Sequence, residues 1–276
     1  MASRPTFEVL DCSVDEEEES YFRLLVDSKQ IKYLTISPGT FKNAEMCFDP
    51  TLKTVLPRLP AGNWNDGTVT RDEDGRPTFT RINLTEFDGV ENTWHETFVE
   101  WGEMELEKNL HITTYEVKCP RFEDIVVAKF ESWHWYMYSM ENETKVYQWL
   151  DGHGIGPRFL GHLTEHGRVI GFLIERISNA RPAGTEDVEP CREALSQLHA
   201  LGLLHGDINR HNFLIRDGKA TLIDFSTTRK CDDEDMFREE MEALPDCLAD
   251  TWNNGGKVEL EPFHGTYGEM TDPDRL

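Results

Sequence analysis

Short apolar runs alternate with turn residues along most of this chain, and their spacing predicts an order of strands and helices. Phe213 to Ile215 and Ala220 to Ile223 have strand length and composition, and the tight-turn pair Asp217-Gly218 between them predicts a hairpin. Upstream, Ile31 to Ile36 and Thr78 to Leu84 read as strands. His111 to Val117 and Asp124 to Phe130 read as two more, joined by a turn containing Pro120. Pro157 to Gly161 and Arg168 to Ile177 follow as strands, the second leading into a linker near Glu175 to Ile177. Helical spacing predicts three helices. Met140 to Leu150 turns Val146, Tyr147 and Leu150 to one face and ends before Gly152 and Gly154. Glu189 to Leu201 turns Ala194, Leu195, Leu198 and Leu201 inward and stops at Gly202. Glu234 to Asp250 is an acidic helix with Pro245 as an expected break.

Composition narrows the class. The 276 residues are 38% hydrophobic and 29% charged, with 7 Trp and 15 Phe, enough to fill a sizeable core. No apolar run has the length of a membrane span, and the N-terminus lacks a signal-peptide core, so a cytoplasmic protein with no membrane partner is expected. The six cysteines are scattered without C-x-x-C spacing, which suits reduced thiols. Asn83-Leu-Thr and Asn142-Glu-Thr are read as chance sequons. The net charge of −24 is uneven: residues 1–20 carry −6, residues 232–276 carry −11, and the middle carries −7. Broad binding to DNA or anionic membrane is disfavoured, while Arg210, Arg216, Lys219, Arg229 and Lys230 leave a local basic surface.

The candidate chemistry lies in Leu203 to Ser226. If the hairpin forms, Asp207, Asn212 and Asp224 come to one end of it. Phosphoryl transfer uses such a set: a carboxylate to orient and deprotonate a hydroxyl, then an amide and a carboxylate to hold magnesium over phosphates. The spacing Asp207-x-x-x-x-Asn212 followed by Asp224-Phe225 resembles the catalytic and metal loops of the protein-kinase-like superfamily. The opening His205-Gly206-Asp207 is closer to the aminoglycoside and choline phosphotransferase branch.

The resemblance extends from about residue 110 to 230, to a large set of fungal kinase-like, aminoglycoside-phosphotransferase-like proteins. It is carried by Val126-Val-Ala-Lys-Phe, Glu143-Thr-Lys-Val-Tyr-Gln-Trp-Leu, Gly154-Ile-Gly-Pro-Arg-Phe-Leu-Gly and the 203–226 stretch. It implies an α+β, two-lobed protein-kinase-like fold with an N-terminal β-rich extension and an abbreviated C-terminal lobe. The expected divisions are an acidic flexible tail at 1–20, a β-rich accessory region at 21–99, a first lobe and hinge at 100–177, and a short second lobe at 178–276. Asp207 would be the catalytic base, and Asn212 and Asp224 the Mg2+ ligands. Lys129 would pair the ATP phosphates, Glu143 (with Glu141 as rival) would position that lysine, and Glu175 would sit in the hinge. The implied activity is ATP- and Mg2+-dependent phosphorylation of a small-molecule hydroxyl.

Two departures qualify the match. No G-x-G-x-x-G precedes Lys129, since Glu105 to Thr114 contains no glycine, and the metal motif reads Asp224-Phe225-Ser226. A second implied reading is kinship with fungal arginine-containing cyclodipeptide synthases of secondary metabolism, which would make charged tRNA the partner and Asp232-Asp233 with nearby Glu239 a guanidinium site. A third is a pseudokinase binding module. Several residues have plainer readings: His205 as a packing residue, and His153, His162, His166 and His211 as surface or loop residues. Trp133, Trp135, Tyr136 and Tyr138 read as core, and Asp232 to Asp235 as a solvated helix start.

Overall fold

The computed structural model describes residues 6–250, and the last part of the acidic C-terminal region lies outside them. The chain is a mixed α/β protein that divides into two units. Unit 1 comprises the residues up to Met140 together with Gly161–Leu173; unit 2 comprises Glu141–Leu160 and the residues from Ile174 onward. No helix among the described residues is long and apolar enough to cross a membrane.

Unit 1 is built on two sheets. The first has the order β1-β2-β3-β4-β5, from β1 (Phe7–Ser13), β2 (Ser20–Val26), β3 (Gln30–Ile36), β4 (Asp66–Arg71) and β5 (Pro77–Asn83). Its pairs are antiparallel except β3 with β4, which are parallel. Between those two run α1 (Asn43–Met46) and α2 (Asp49–Val55), and Leu52 of α2 packs with Phe22, Leu24, Leu34, Trp64 and Val69. The expected flexible tail is therefore corrected for residues 7–13. Phe7 and Val9 pack against that core while the register Phe7↔Val26 to Ser13↔Tyr21 satisfies the backbone. The acidic run that follows is a turn, with Asp15 accepting from the N–H groups of Glu17 and Glu18, both 2.8 Å.

The second sheet contains β6 (Phe98–Glu100), β7 (Glu105–His111), β8 (Thr114–Lys118), β9 (Val126–Phe130), β10 (Phe159–Glu165) and β11 (Arg168–Ile174), in the order β6-β10-β11-β9-β8-β7. Residues expected as one strand, His111 to Val117, instead span the tip of the β7–β8 hairpin, with His111 opposite Thr114. Every residue of β7 is exposed, so burial periodicity gave no sign of it. Gly171 in β11 lies so close to β9 that a Cβ would fall 2.1 Å from the Lys129 carbonyl oxygen. Only glycine fits that contact. A buried polar network ties strands of the two sheets: Arg23 Nε donates to Glu165 Oε2 at 2.9 Å, and Arg168 Nη2 donates to the Tyr33 hydroxyl at 2.8 Å. Tyr33 in turn donates to Glu165. His162 is corrected from surface to core: it is fully buried, accepts from the His95 N–H at 3.1 Å, and burial pushes its pKa down to about 4. The aromatic run divides. Trp133 is buried, Trp135 stacks on it at 5.3 Å, and Tyr136 and Tyr138 are exposed.

Unit 2 takes most of α3 (Met137–Leu150), then α4 (Val188–Ala200) and α5 (Glu234–Ala249), with β12 (Arg181–Pro182), β13 (Leu203–Leu204), β14 (Phe213–Arg216), β15 (Lys219–Leu222) and β16 (Arg229–Lys230). The strands form a β12-β14-β15 sheet and a β13-β16 pair. Pro245 does not break α5. Its ring removes one backbone donor, but Leu244 and Leu248 on either side are buried and hold the helix in place.

Candidate functional site

The β14–β15 hairpin sets the site's geometry. Asp217 and Gly218 both have left-handed backbones, φ 53° and 75°, which the primed two-residue turn requires. That turn fixes the register Phe213↔Leu222 through Arg216↔Lys219. One step beyond, the Ile223 N–H donates to the Asn212 carbonyl at 3.0 Å, so Asn212 stands opposite the residue before Asp224. A one-residue slip would turn every side chain of the strand to the other face. Sequence separation of twelve residues is thereby converted into adjacency.

Asp207 reaches the same place from the other side. Gly202, at φ 71°, ends α4 with its N–H on the His199 carbonyl at 2.8 Å, and the buried Leu203 and Leu204 pair with Arg229 and Lys230. His205 is fully buried, and burial lowers its pKa. Its Nδ1 accepts from the Asp207 N–H at 3.4 Å and its Nε2 lies 3.3 Å from the Ile223 carbonyl. Those two roles suit the neutral ring and make it a packing residue. Asn212, 5% exposed, donates from Nδ2 to the Asp207 carbonyl at 2.8 Å and to its Oδ2 at 3.2 Å. Asp207, Asn212 and Asp224 are thus gathered around one loop.

Asp224 has φ 60°, a left-handed backbone uncommon outside glycine. Two contacts hold it there. Ser226 Oγ donates to Asp224 Oδ1 at 3.0 Å, and the Phe225 N–H donates to Glu143 Oε1 at 3.2 Å. Phe225 is fully buried against Tyr147, ring centroids 5.4 Å apart, and a Cβ on Gly156 would lie 2.8 Å from its ring. Glu143, at 1% exposure, is therefore no helix-surface acid. Its rival Glu141 pairs with Lys145 along the helix at 2.9 Å. Lys129 lies in β9 of unit 1, partly buried and opposite Thr114. Glu175 follows β11 in unit 2 and is exposed. Its N–H donates to the Arg158 carbonyl at 2.9 Å.

Three supporting residues carried no sequence signal for the roles they have here. Asn209, 1% exposed, caps the turn by accepting from the His211 N–H at 2.9 Å and donates to Asp207 Oδ2 at 3.3 Å. Asn142 donates to the carbonyls of Ser226 and Thr228, at 2.9 and 3.0 Å, so this sequon asparagine is engaged in packing. Glu240 of α5 accepts from the N–H groups of His205 (3.2 Å) and Gly206 (2.6 Å) and pairs with His199 Nε2 at 2.7 Å. Burial alone would raise its pKa, but these donors outweigh burial and hold it below the usual range. The Asp232 to Asp235 cluster is exposed, and Asp233 caps α5 by accepting from the Asp235 N–H at 2.9 Å.

The donor set suits magnesium. Asn212 spends its amide nitrogen on Asp207, which leaves its oxygen to act as a ligand, and Asp224 adds a carboxylate. Among the described residues no group of three His, Cys, Asp or Glu side chains is arranged to hold a metal. Magnesium is commonly held by one or two protein oxygens plus phosphates, which this pair can supply. No family model matches the chain. Over 136 residues, 48% of its length, the chain is 32% identical to a protein of Methanothermobacter thermautotrophicus named probable bifunctional tRNA threonylcarbamoyladenosine biosynthesis protein. The matched stretch spans 25% of that relative's length.

Proposed function

We propose that the chain is a kinase-like transferase that moves the γ-phosphoryl group of ATP to a hydroxyl acceptor. The observation that carries this reading is the joint placement of Asp207, Asn212 and Asp224 around one hydrogen-bonded loop. Asn212 and Asp224 would hold magnesium, which when bound with ATP neutralises charge on the phosphates. Asp207, with Oδ2 oriented by two amides, would position the acceptor hydroxyl and take its proton. The roles of Lys129, Glu143 and Glu175 at the nucleotide, and the two-lobed kinase-like fold itself, rest on sequence resemblance. Glu143 has the further role of fastening the loop after Asp224. The acceptor is read as a small molecule. Incubating the protein with ATP and magnesium and a panel of hydroxyl-bearing small molecules, read by mass spectrometry, tests this. Phosphate transfer abolished by Asp207→Asn supports it, and no transfer and no magnesium-dependent nucleotide binding overturns it.

A second reading, in which tRNA is the substrate, draws on the relative whose name concerns tRNA modification. Arg216 and Lys219 flank the hairpin turn and are exposed, as are Arg229 and Lys230. Four cations of this kind suit phosphate contacts. Aminoacyl transfer from charged tRNA would yield an arginine-containing diketopiperazine, and its absence after incubation with charged tRNAs would remove that version.

A further inference from the structure

Unit 1 holds a cleft of about 350 Å³ that the proposed reaction does not use. Trp101, Tyr115, Phe130 and Trp133 line it, and Leu106 and Ile112, both exposed, stand at its rim. Three charged residues line it as well: Asp11 of β1, Arg23 of β2 and Glu131, next after β9. Arg23 is already neutralised. It is 2% exposed, bonded to Glu165, and its guanidinium lies 4.8 Å over the Trp101 ring. The remaining charge in the cleft is that of the two carboxylates.

Glu131 is the less settled of them. Its main-chain N–H donates to the Ile170 carbonyl at 2.9 Å, and its carboxyl makes no hydrogen bond or ion pair among the described residues. Burial, reinforced by Asp11, raises its pKa to about 7, and Lys129 two residues earlier opposes that shift only in part. A carboxylate in apolar surroundings without a partner is a costly arrangement. It is relieved by a ligand that brings a cation to the carboxylates and an apolar body to the rings. An anion would meet two like charges. A hard metal ion would find too few oxygen ligands beside these rings.

We propose that this cleft binds a small organic cation, an amine with an aromatic or aliphatic body, its ammonium against Glu131 and Asp11 and its body against the apolar lining of Leu106, Ile112 and Tyr115. The exposed side chains of Ile112 and Leu106 would close over the body on binding. Affinity would rise with pH as Glu131 ionises. Asp11 from β1 and Lys129 from β9 are the charged groups that bear on that titration, Arg23 from β2 lines the same cleft paired with Glu165, and the amine stays protonated well above it.

The test titrates the full chain with phenethylamine, n-hexylamine and the neutral isostere 2-phenylethanol. Tryptophan fluorescence (Trp101 and Trp133 line the cleft) and calorimetry report binding. At least one amine should bind saturably, roughly tenfold more tightly than the alcohol and roughly tenfold more tightly at pH 8 than at pH 6. Glu131→Gln should remove most of that preference and its pH dependence, and Asp11→Asn a smaller part. Glu86→Gln, in a separate cleft of the same unit, should change neither. Removing a half-buried carboxyl that makes no hydrogen bond should not impair folding, and thermal melting of each variant checks this. Failure of both amines to bind at about 10 mM overturns the proposal. So does equal affinity for amine and alcohol, or a Glu131→Gln variant with unchanged affinity.

Discussion

The loop from Leu203 to Thr228 in unit 2 and the β7–β8 hairpin in unit 1 are built in opposite ways. In the loop, Asp207 is held by two amides, Asp224 by a serine, the turn by Asn209 and the backbone by Glu240 and Asn142. In the hairpin every residue of β7 is exposed, no glycine is present, and register shifts interrupt the ladder twice. One region fixes its side chains through a dense set of hydrogen bonds. The other is an edge hairpin, in which β7 pairs only with β8 while β8 is anchored on β9. Hydrogen-bonded order has been concentrated where protons and metal would be handled.

Substitutions should separate the two regions, beginning with the largest effect. Asp207→Asn should lower turnover by about 10²–10⁴-fold, the usual range for a lost general base, with nucleotide binding retained; steady-state kinetics and calorimetry check this. Glu240→Ala strands the N–H of buried His205, the N–H of Gly206 and the His199 ring, and should cost about 2 kcal/mol in chemical denaturation. In unit 1, Gly171→Ala forces a Cβ onto the Lys129 carbonyl and should cost about 2 kcal/mol. Leu110→Ser in the hairpin, at an exposed position, should stay within about 0.5 kcal/mol. A hairpin as sensitive as the loop would break the contrast.

Acidification should reach both units. The folded pKa of buried His205 lies below its ordinary value of 6.5, and that of His162 is pushed to about 4. The unfolded chain therefore takes up protons first as pH falls. The contribution of these two histidines is full above about 6.5 and declines as pH drops from there toward about 4, while protonation of Glu131, whose pKa is raised to about 7, offsets part of it. Melting temperatures across that window should fall, and His162→Phe should flatten the decline.

Much of the loop was legible because its signals are local. Asp217-Gly218 specifies the turn, the turn specifies the register, and the register brings Asn212 beside Asp224. Glu143 lies one turn before Tyr147 on α3, so its burial follows from helical spacing, whereas its bond to the Phe225 N–H does not. Asn209, Asn142 and Glu240 were missed because their partners are backbone groups or distant residues, and nothing in their neighbours' identity marks them. The strand Phe7–Ser13 was missed for a related reason: its pairing with β2 lends order to a sequence whose charge suggests a tail. Strand β7 was missed because an exposed strand has no apolar periodicity to read.

The most direct measurement is calorimetric binding of ATP with and without magnesium to the parent chain, Asp207→Asn and Asp224→Ala. Magnesium-dependent binding that Asp224→Ala abolishes and Asp207→Asn preserves is the result expected of a loop that divides metal holding from proton transfer. Binding that ignores magnesium, or that both variants leave unchanged, would contradict it.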